Sequence, residues 1–245
     1  ADSGISSGGK VGLGWPNGPD PSLKNFITKN TGALYTWGPT CPDNSPLPCY
    51  HMLWGDKQTA DFDKAVKGAP GKSNVILGFN EPNQAGQSDM TAQHGCELWK
   101  QHIQPKKAAG YTLVSPATTS APSGMTWMKD FMKCCTGCTI DAVAVHWYGL
   151  DADAFIKYLE QWHNAFNKPI LVTEYAVQDF GGGKQATLDE INAFHKKVGP
   201  YMLKQSWVAK FFPFGFMHDM NNVNPKNQLM DAKGNPTPLG KMIIN

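Results

Sequence analysis

The chain has 245 residues, is 41% hydrophobic and carries a formal charge of only +2 at pH 7, so no strongly charged partner is implied. All 22 basic residues are lysines. Without arginine, the favoured bidentate reader of phosphates and guanine edges, nucleic-acid binding is disfavoured, and no segment reaches the ~20 apolar residues needed to cross a bilayer.

Residues 1–9 read as an extended N-terminal segment. Short apolar, β-rich runs then follow at 10–16, 33–38, 51–55, 75–80, 113–118, 142–148, 170–174 and 210–216, giving eight candidate strands. The stretches after the first two runs carry loops and prolines in place of helical spacing. Helical patterns are clear at 91–109, with a Gly110 stop, and at 152–166, opened by Asp151 or Asp153 and closed before Pro169. A third spans 187–202, where Thr187 is the N-cap and Glu190 its capping-box partner. Gly181-Gly-Gly183 lacks nucleotide-loop spacing and reads as a flexible active-site loop. Eight strands alternating with helices predict one (β/α)8 TIM barrel over 1–245, with its active site at the C-terminal ends of the strands.

The six cysteines, Cys41, Cys49, Cys96, Cys134, Cys135 and Cys138, form an even set. Cys41 and Cys49 flank a proline-rich stretch and are expected to staple it. Cys134 and Cys135 are neighbours, so Cys96 should bond one of them and Cys138 the other. A zinc site built from Cys134, Cys135, Cys138 and His94 or Cys96 is the rival reading. Disulfides imply an oxidising compartment. With no signal peptide visible, a mature secreted or cell-wall-associated protein is expected. No N-glycosylation sequon occurs.

Two of the five glutamates stand apart. Glu81, in Gly78-Phe-Asn-Glu-Pro-Asn83, and Glu174, in Leu171-Val-Thr-Glu-Tyr175, each end an apolar run, where a carboxylate is costly unless it has a partner or a task. They end the fourth and seventh candidate strands, roughly opposite across a barrel mouth. Paired carboxylates are the equipment for cleaving a glycosidic bond, and a separation of ~5–5.5 Å would give retention of configuration. Trp15, Trp37, Trp54 and Trp147 lie at or near strand ends, where aromatic rings can stack on sugar C–H faces. His146 and Tyr148 alternate with Trp147 and so share one side of the sixth strand, from which Tyr148 can orient Glu174. The seven histidines show no metal-binding spacing, so neither metal nor cofactor is expected.

The Asn-Glu-Pro and Thr-Glu-Tyr motifs resemble those of clan A glycoside hydrolases. That resemblance implies Glu81 as acid/base, Glu174 as nucleophile, and Asn80 as the residue bonding the sugar 2-hydroxyl. Gly12-Leu-Gly-Trp-Pro-Asn17, Tyr35-Thr-Trp-Gly-Pro39 and Ala144-Val-His-Trp-Tyr-Gly149 narrow the similarity to fungal family 128, whose members cleave β-1,3-glucan. Many relatives in the clan place an arginine near the nucleophile and a tryptophan on strand eight. Here something else must hold Glu174, and Phe214 or Phe216 is expected to line the sugar site instead. The expected function is thus a monomeric, retaining endo-β-1,3-glucanase acting on β-glucan. The alternatives are another β-glycanase of the clan, cutting β-1,4-glucan or mannan, and a catalytically silent glycan-binding barrel.

Overall fold

A computed structural model describes residues 4–245. Eight parallel strands form one sheet: β1 (Val11–Gly14), β2 (Thr31–Tyr35), β3 (Cys49–Met52), β4 (Val75–Leu77), β5 (Thr112–Val114), β6 (Val143–Gly149), β7 (Ile170–Val177) and β8 (Val208–Pro213). Their order is β5-β4-β3-β2-β1-β8-β7-β6. The two outermost strands meet through the Val114–Ala142 bridge and through Ser115, whose N–H donates to the Ala142 carbonyl at 3.0 Å. The result is a (β/α)8 barrel, as predicted. The boundaries differ modestly: β2 and β3 begin earlier than the apolar runs suggest, and β7 continues past Glu174 to Val177.

The helical layer is uneven. After β1 there is only a 3-10 turn (Pro21–Phe26), and after β2 a loop stapled by Cys41–Cys49. Prolines at 42, 46 and 48 offer no N–H donor to a helical ladder there. Next come α1 (Thr59–Ala65) and then α2 (Ala92–Leu98), which passes through a π turn (Trp99–Ile103) into α3 (Pro105–Ala108). The predicted single helix over 91–109 is therefore interrupted. Pro105 cannot donate, and Gln104 N–H bonds back five residues to the Trp99 carbonyl at 2.8 Å. Helix α4 (Pro122–Cys134) was not among the predicted helices; it buries Trp127, Met128 and Phe131.

Helix α5 (Ala152–Phe166) is capped by Asp151, not Asp153: its carboxylate accepts from the N–H groups of Asp153 and Ala154. Helix α6 (Leu188–Lys204) carries the predicted Thr187–Glu190 capping box, and α7 (Pro238–Ile244) follows. Thr187→Ala should cost about 1 kcal/mol, because one N-terminal N–H of α6 loses its acceptor. Denaturant titration checks this, with Thr187→Ser expected to recover most of the loss; equal stability of Thr187→Ala and the parent would contradict it.

Two apolar layers follow from strand alternation. Inside the barrel lie Tyr35, Tyr50, Met52, Leu77, Leu171 and Phe212, with Ile5 among them. Outside, strands pack on helices; Phe155 of α5, for example, stacks on Tyr175 at 5.3 Å and on Phe194 at 5.7 Å. The N-terminal segment is not extended across residues 4–8, which form turns, while residues 1–3 lie outside the described residues. Its purchase on the barrel is Lys210, a buried side chain of β8 whose Nζ donates to the carbonyls of Ile5 (2.9 Å) and Ser7 (2.8 Å). Burial, with a smaller contribution from the charge of Lys10, lowers the Lys210 pKa to about 8.

All six cysteines are paired: Cys41–Cys49, Cys96–Cys134 and Cys135–Cys138. This leaves no thiolate for the zinc alternative. Cys96–Cys134 ties α2 to α4, fixing the helix that follows the Glu81 loop.

Candidate active site

The C-terminal ends of the strands open into a cleft of about 920 Å³, a volume suited to a few sugar units. Glu81 enters it from the turn after β4. Asn80 bridges to Ala117, and the Glu81 N–H donates to the Ala117 carbonyl at 2.7 Å. Those contacts hold Glu81 at φ +45, a left-handed conformation unusual for a non-glycine residue. Trp37, after β2, is held at φ +59. Such strain costs on the order of 1–3 kcal/mol and persists where the surroundings over-determine it, as they do at both positions.

Glu174 comes from the inward face of β7. Its Oε1 accepts from the Tyr148 hydroxyl at 2.6 Å, and its Oε2 accepts from Trp37 Nε1 at 2.9 Å. His146 Nε2 stands 3.5 Å from the same Oε2, while His146 Nδ1 lies 2.9 Å from Glu81 Oε2. These groups fill the place of the arginine that the sequence lacks. Gly14 makes room for them: a Cβ there would lie 2.7 Å from the Trp37 ring. One carboxylate oxygen from each glutamate and one His146 nitrogen all fall within 4.8 Å of one another. Within this group His146 Nδ1 is already hydrogen-bonded to Glu81 Oε2.

Charge is concentrated in this cluster. Burial pulls the His146 pKa down, but the Glu174 charge, the hydrogen bond to Glu81 and the Glu81 charge outweigh it, and the net shift is upward. Burial first, then the Glu174 charge, holds the Tyr148 hydroxyl protonated well above its ordinary range, and Tyr35 behaves likewise. Tyr148 is therefore a donor to Glu174 across the working pH range. For His146, a raised folded-state pKa means stabilisation that is complete below the unfolded value near 6.5 and is lost as pH rises through the higher folded value. The gap in melting temperature between the parent and His146→Gln should thus be widest in mild acid and narrow above about pH 6.5. Thermal melts across that window check this, and a gap that widens with pH would contradict it.

Asn80 is buried, and its Nδ2 donates to Gln87 Oε1 at 2.9 Å while its Oδ1 has no partner. Asn80 nonetheless lines the cleft, so its amide stands beside the two glutamates.

The cleft gathers Trp37, Trp54, Asn80, Glu81, His146, Tyr148, Glu174 and Phe214 from the predicted set. Three predicted aromatics are placed elsewhere. Trp15 is fully buried outside the barrel, edge-on to Phe26 at 5.7 Å, with Nε1 donating to the Gly18 carbonyl. Trp147 alternates with its inward neighbours and so points outward, tilted against Phe155 (5.0 Å) and stacked on Phe194 (5.8 Å). Phe216 packs on Phe26 at 5.4 Å in the same outer layer. None of the three offers a ring face to a sugar. Gln87, Leu150 and Phe180 also line the cleft and were not singled out from the sequence. Leu150 follows directly on β6, and Phe180 stands three residues past the end of β7, which was the available signal.

Comparison with known proteins agrees with this geometry. A family model described as "Glycosyl hydrolase catalytic core" matches residues 12–243. The chain is 28% identical over 246 residues to Alkali-sensitive linkage protein 1 of Schizosaccharomyces pombe; the match covers 98% of this chain and 45% of that protein, so the chain spans less than half of that relative's length. Among solved structures, it resembles a family 128 (subgroup VI) exo-β-1,3-glucanase from Aureobasidium namibiae, with TM-score 0.86 and 26% identity over 97% of this chain and 96% of that one. A family 128 (subgroup VII) oligosaccharide-binding protein from Trichoderma gamsii shares the fold, with TM-score 0.82 and 20% identity over 99% of this chain and 95% of that one. With its barrel, its paired strand-end glutamates and the family match across nearly its whole length, the chain belongs to the glycosyl hydrolase catalytic core family.

Proposed function

We propose that this protein hydrolyses β-1,3-glucan with retention of configuration. The observation that carries the reading is the approach of Glu81 and Glu174 within 4.8 Å through His146, in a cleft walled by Trp37 and Trp54. An oxygen of one carboxylate within 4.8 Å of an oxygen of the other is shorter than the ~6.5–9.5 Å carboxyl spacing that houses an attacking water in inverting enzymes, which supports double displacement. Glu174, fixed by Tyr148 and Trp37, attacks the anomeric carbon while Glu81 passes its proton to the leaving oxygen. Water then attacks the glycosyl-enzyme, Glu81 takes up its proton, and Glu174 is released. Asn80, which lines the cleft beside Glu81, bonds the sugar 2-hydroxyl through its amide, a bond that strengthens as positive charge builds on the ring. None of these steps calls on a metal or cofactor.

The β-1,3 linkage draws support from the likeness to the Aureobasidium enzyme. A reducing-sugar assay on laminarin and soluble cellulose tests it; activity confined to cellulose would defeat the proposal. Cleavage within the chain is the mode expected from the sequence. Release from a chain end is the second reading, favoured because the Aureobasidium protein is described as an exo-enzyme. Product length decides: a ladder of oligomers supports internal cleavage, and a single small product supports terminal release. Three disulfides support a secreted or cell-wall-associated location.

A further inference from the structure

Phe180 has no role in the chemistry proposed above, yet it is 54% exposed and lines the same cleft as the two glutamates. Its ring lies 5.0 Å from that of Tyr148, whose ring lies 6.1 Å from Phe214, itself 6.1 Å from Trp37. Four aromatic rings thus form a continuous arc from the Glu174 pocket to the rim. Phe180 is its outermost member, and Leu150, 37% exposed, lines the same cleft.

The neighbouring glycines, read from sequence as a flexible loop, have a definite geometric reason. Asp179 Oδ1 accepts from the Gly181 N–H at 2.8 Å, closing a tight turn around Phe180. Gly182 sits at φ +79, and a Cβ on Gly183 would lie 2.3 Å from Asp179 Oδ2. Gln178, just before the turn, is itself anchored: its Nε2 donates to the Asp179 carbonyl at 3.0 Å, and its Oε1 accepts from the Asn224 N–H. An exposed aromatic ring on a hydrogen-bonded turn, continuous with a sugar-sized cleft, is a preorganised apolar surface.

We propose that Phe180, presented by the Asp179–Gly183 turn, is a stacking platform for a glucosyl unit of the β-glucan chain beyond the sugars at the point of cleavage. The proposal rests on the glucanase reading of the cleft and adds to it a chain-length preference. A short substrate ends before the platform, whereas a long one reaches it, so the benefit belongs to long chains.

The test compares kcat/KM for laminarihexaose with that for laminaritriose. Phe180→Ala should lower the hexaose-to-triose ratio about threefold to tenfold, the range expected for one lost aromatic contact. Phe180→Trp should hold the ratio. Gly183→Ala, whose Cβ pushes aside the Asp179 carboxylate that holds the turn while the ring is kept, should lower it as Phe180→Ala does. An unchanged ratio in Phe180→Ala would overturn the platform, as would an equal proportional loss on both substrates. Turnover of neither oligomer by the unaltered protein would instead defeat the glucanase reading. In that event, calorimetric titration of laminarihexaose still judges the platform: weaker binding by Phe180→Ala sustains it, and equal binding removes it.

Discussion

Glu174→Gln is expected to lower turnover of β-1,3-oligomers by at least about a thousandfold, since an amide cannot take the place of the carboxylate that forms the glycosyl bond. The substitution keeps the shape of the side chain. Its amide oxygen can still accept from Tyr148 or from Trp37, but not from both, because the amide nitrogen is a donor. Some local rearrangement around Trp37 is therefore expected, with the cleft otherwise intact. Oligosaccharide affinity measured by calorimetry should persist while kcat collapses. A variant that kept full activity would remove Glu174 as nucleophile and return the cluster to a binding role.

Tyr148→Phe is the second large effect. The Tyr148 hydroxyl donates to Glu174 Oε1 at 2.6 Å inside a buried site, and hydrogen bonds to charged groups are worth about 1.5–3 kcal/mol. If that contact holds the nucleophile in line, its loss should reduce kcat roughly 10- to 100-fold. The Phe variant retains the ring that packs against Phe180 and Phe214, so KM should move far less than kcat. The split between kcat and KM is the readout that separates positioning of Glu174 from general damage. A rise in KM with kcat unchanged would assign Tyr148 to sugar binding instead.

Much of the architecture was readable from the chain because barrel strands are buried on both faces and leave continuous apolar runs. The runs ending at Glu81 and Glu174 gave the site for the same physical reason: a charge after such a run needs a partner. Helix α4 escaped because Pro122–Cys134 mixes lysine, threonine and serine with apolar residues that declare a face only once Trp127, Met128 and Phe131 are seen buried. The break near Pro105 was signalled by the proline itself, but the π turn that absorbs it was not.

The tryptophans carry a sharper lesson. Position near a strand end does not decide which way a side chain points, whereas alternation does. His146 and Tyr148 face inward, so Trp147 must face outward, where it packs in the helical layer. Trp15 likewise packs outside, beside Phe26. Trp37 reaches the cleft only through a left-handed backbone turn and the space left by Gly14, features with no simple periodic signature. The His146 bridge between both carboxylates also depends on strands distant in sequence. That bridge, with the Tyr148 and Trp37 donors, holds Glu174 where no arginine is available.

The central claim is that Glu81 and Glu174 act as a retaining pair on β-1,3-glucan. Following the anomeric proton signals of newly released ends by NMR during laminari-oligosaccharide hydrolysis tests it most directly. The pair as placed predicts the β-anomer first, with the α-anomer accumulating only through later mutarotation. Initial release of the α-anomer would show inversion and contradict the double-displacement account.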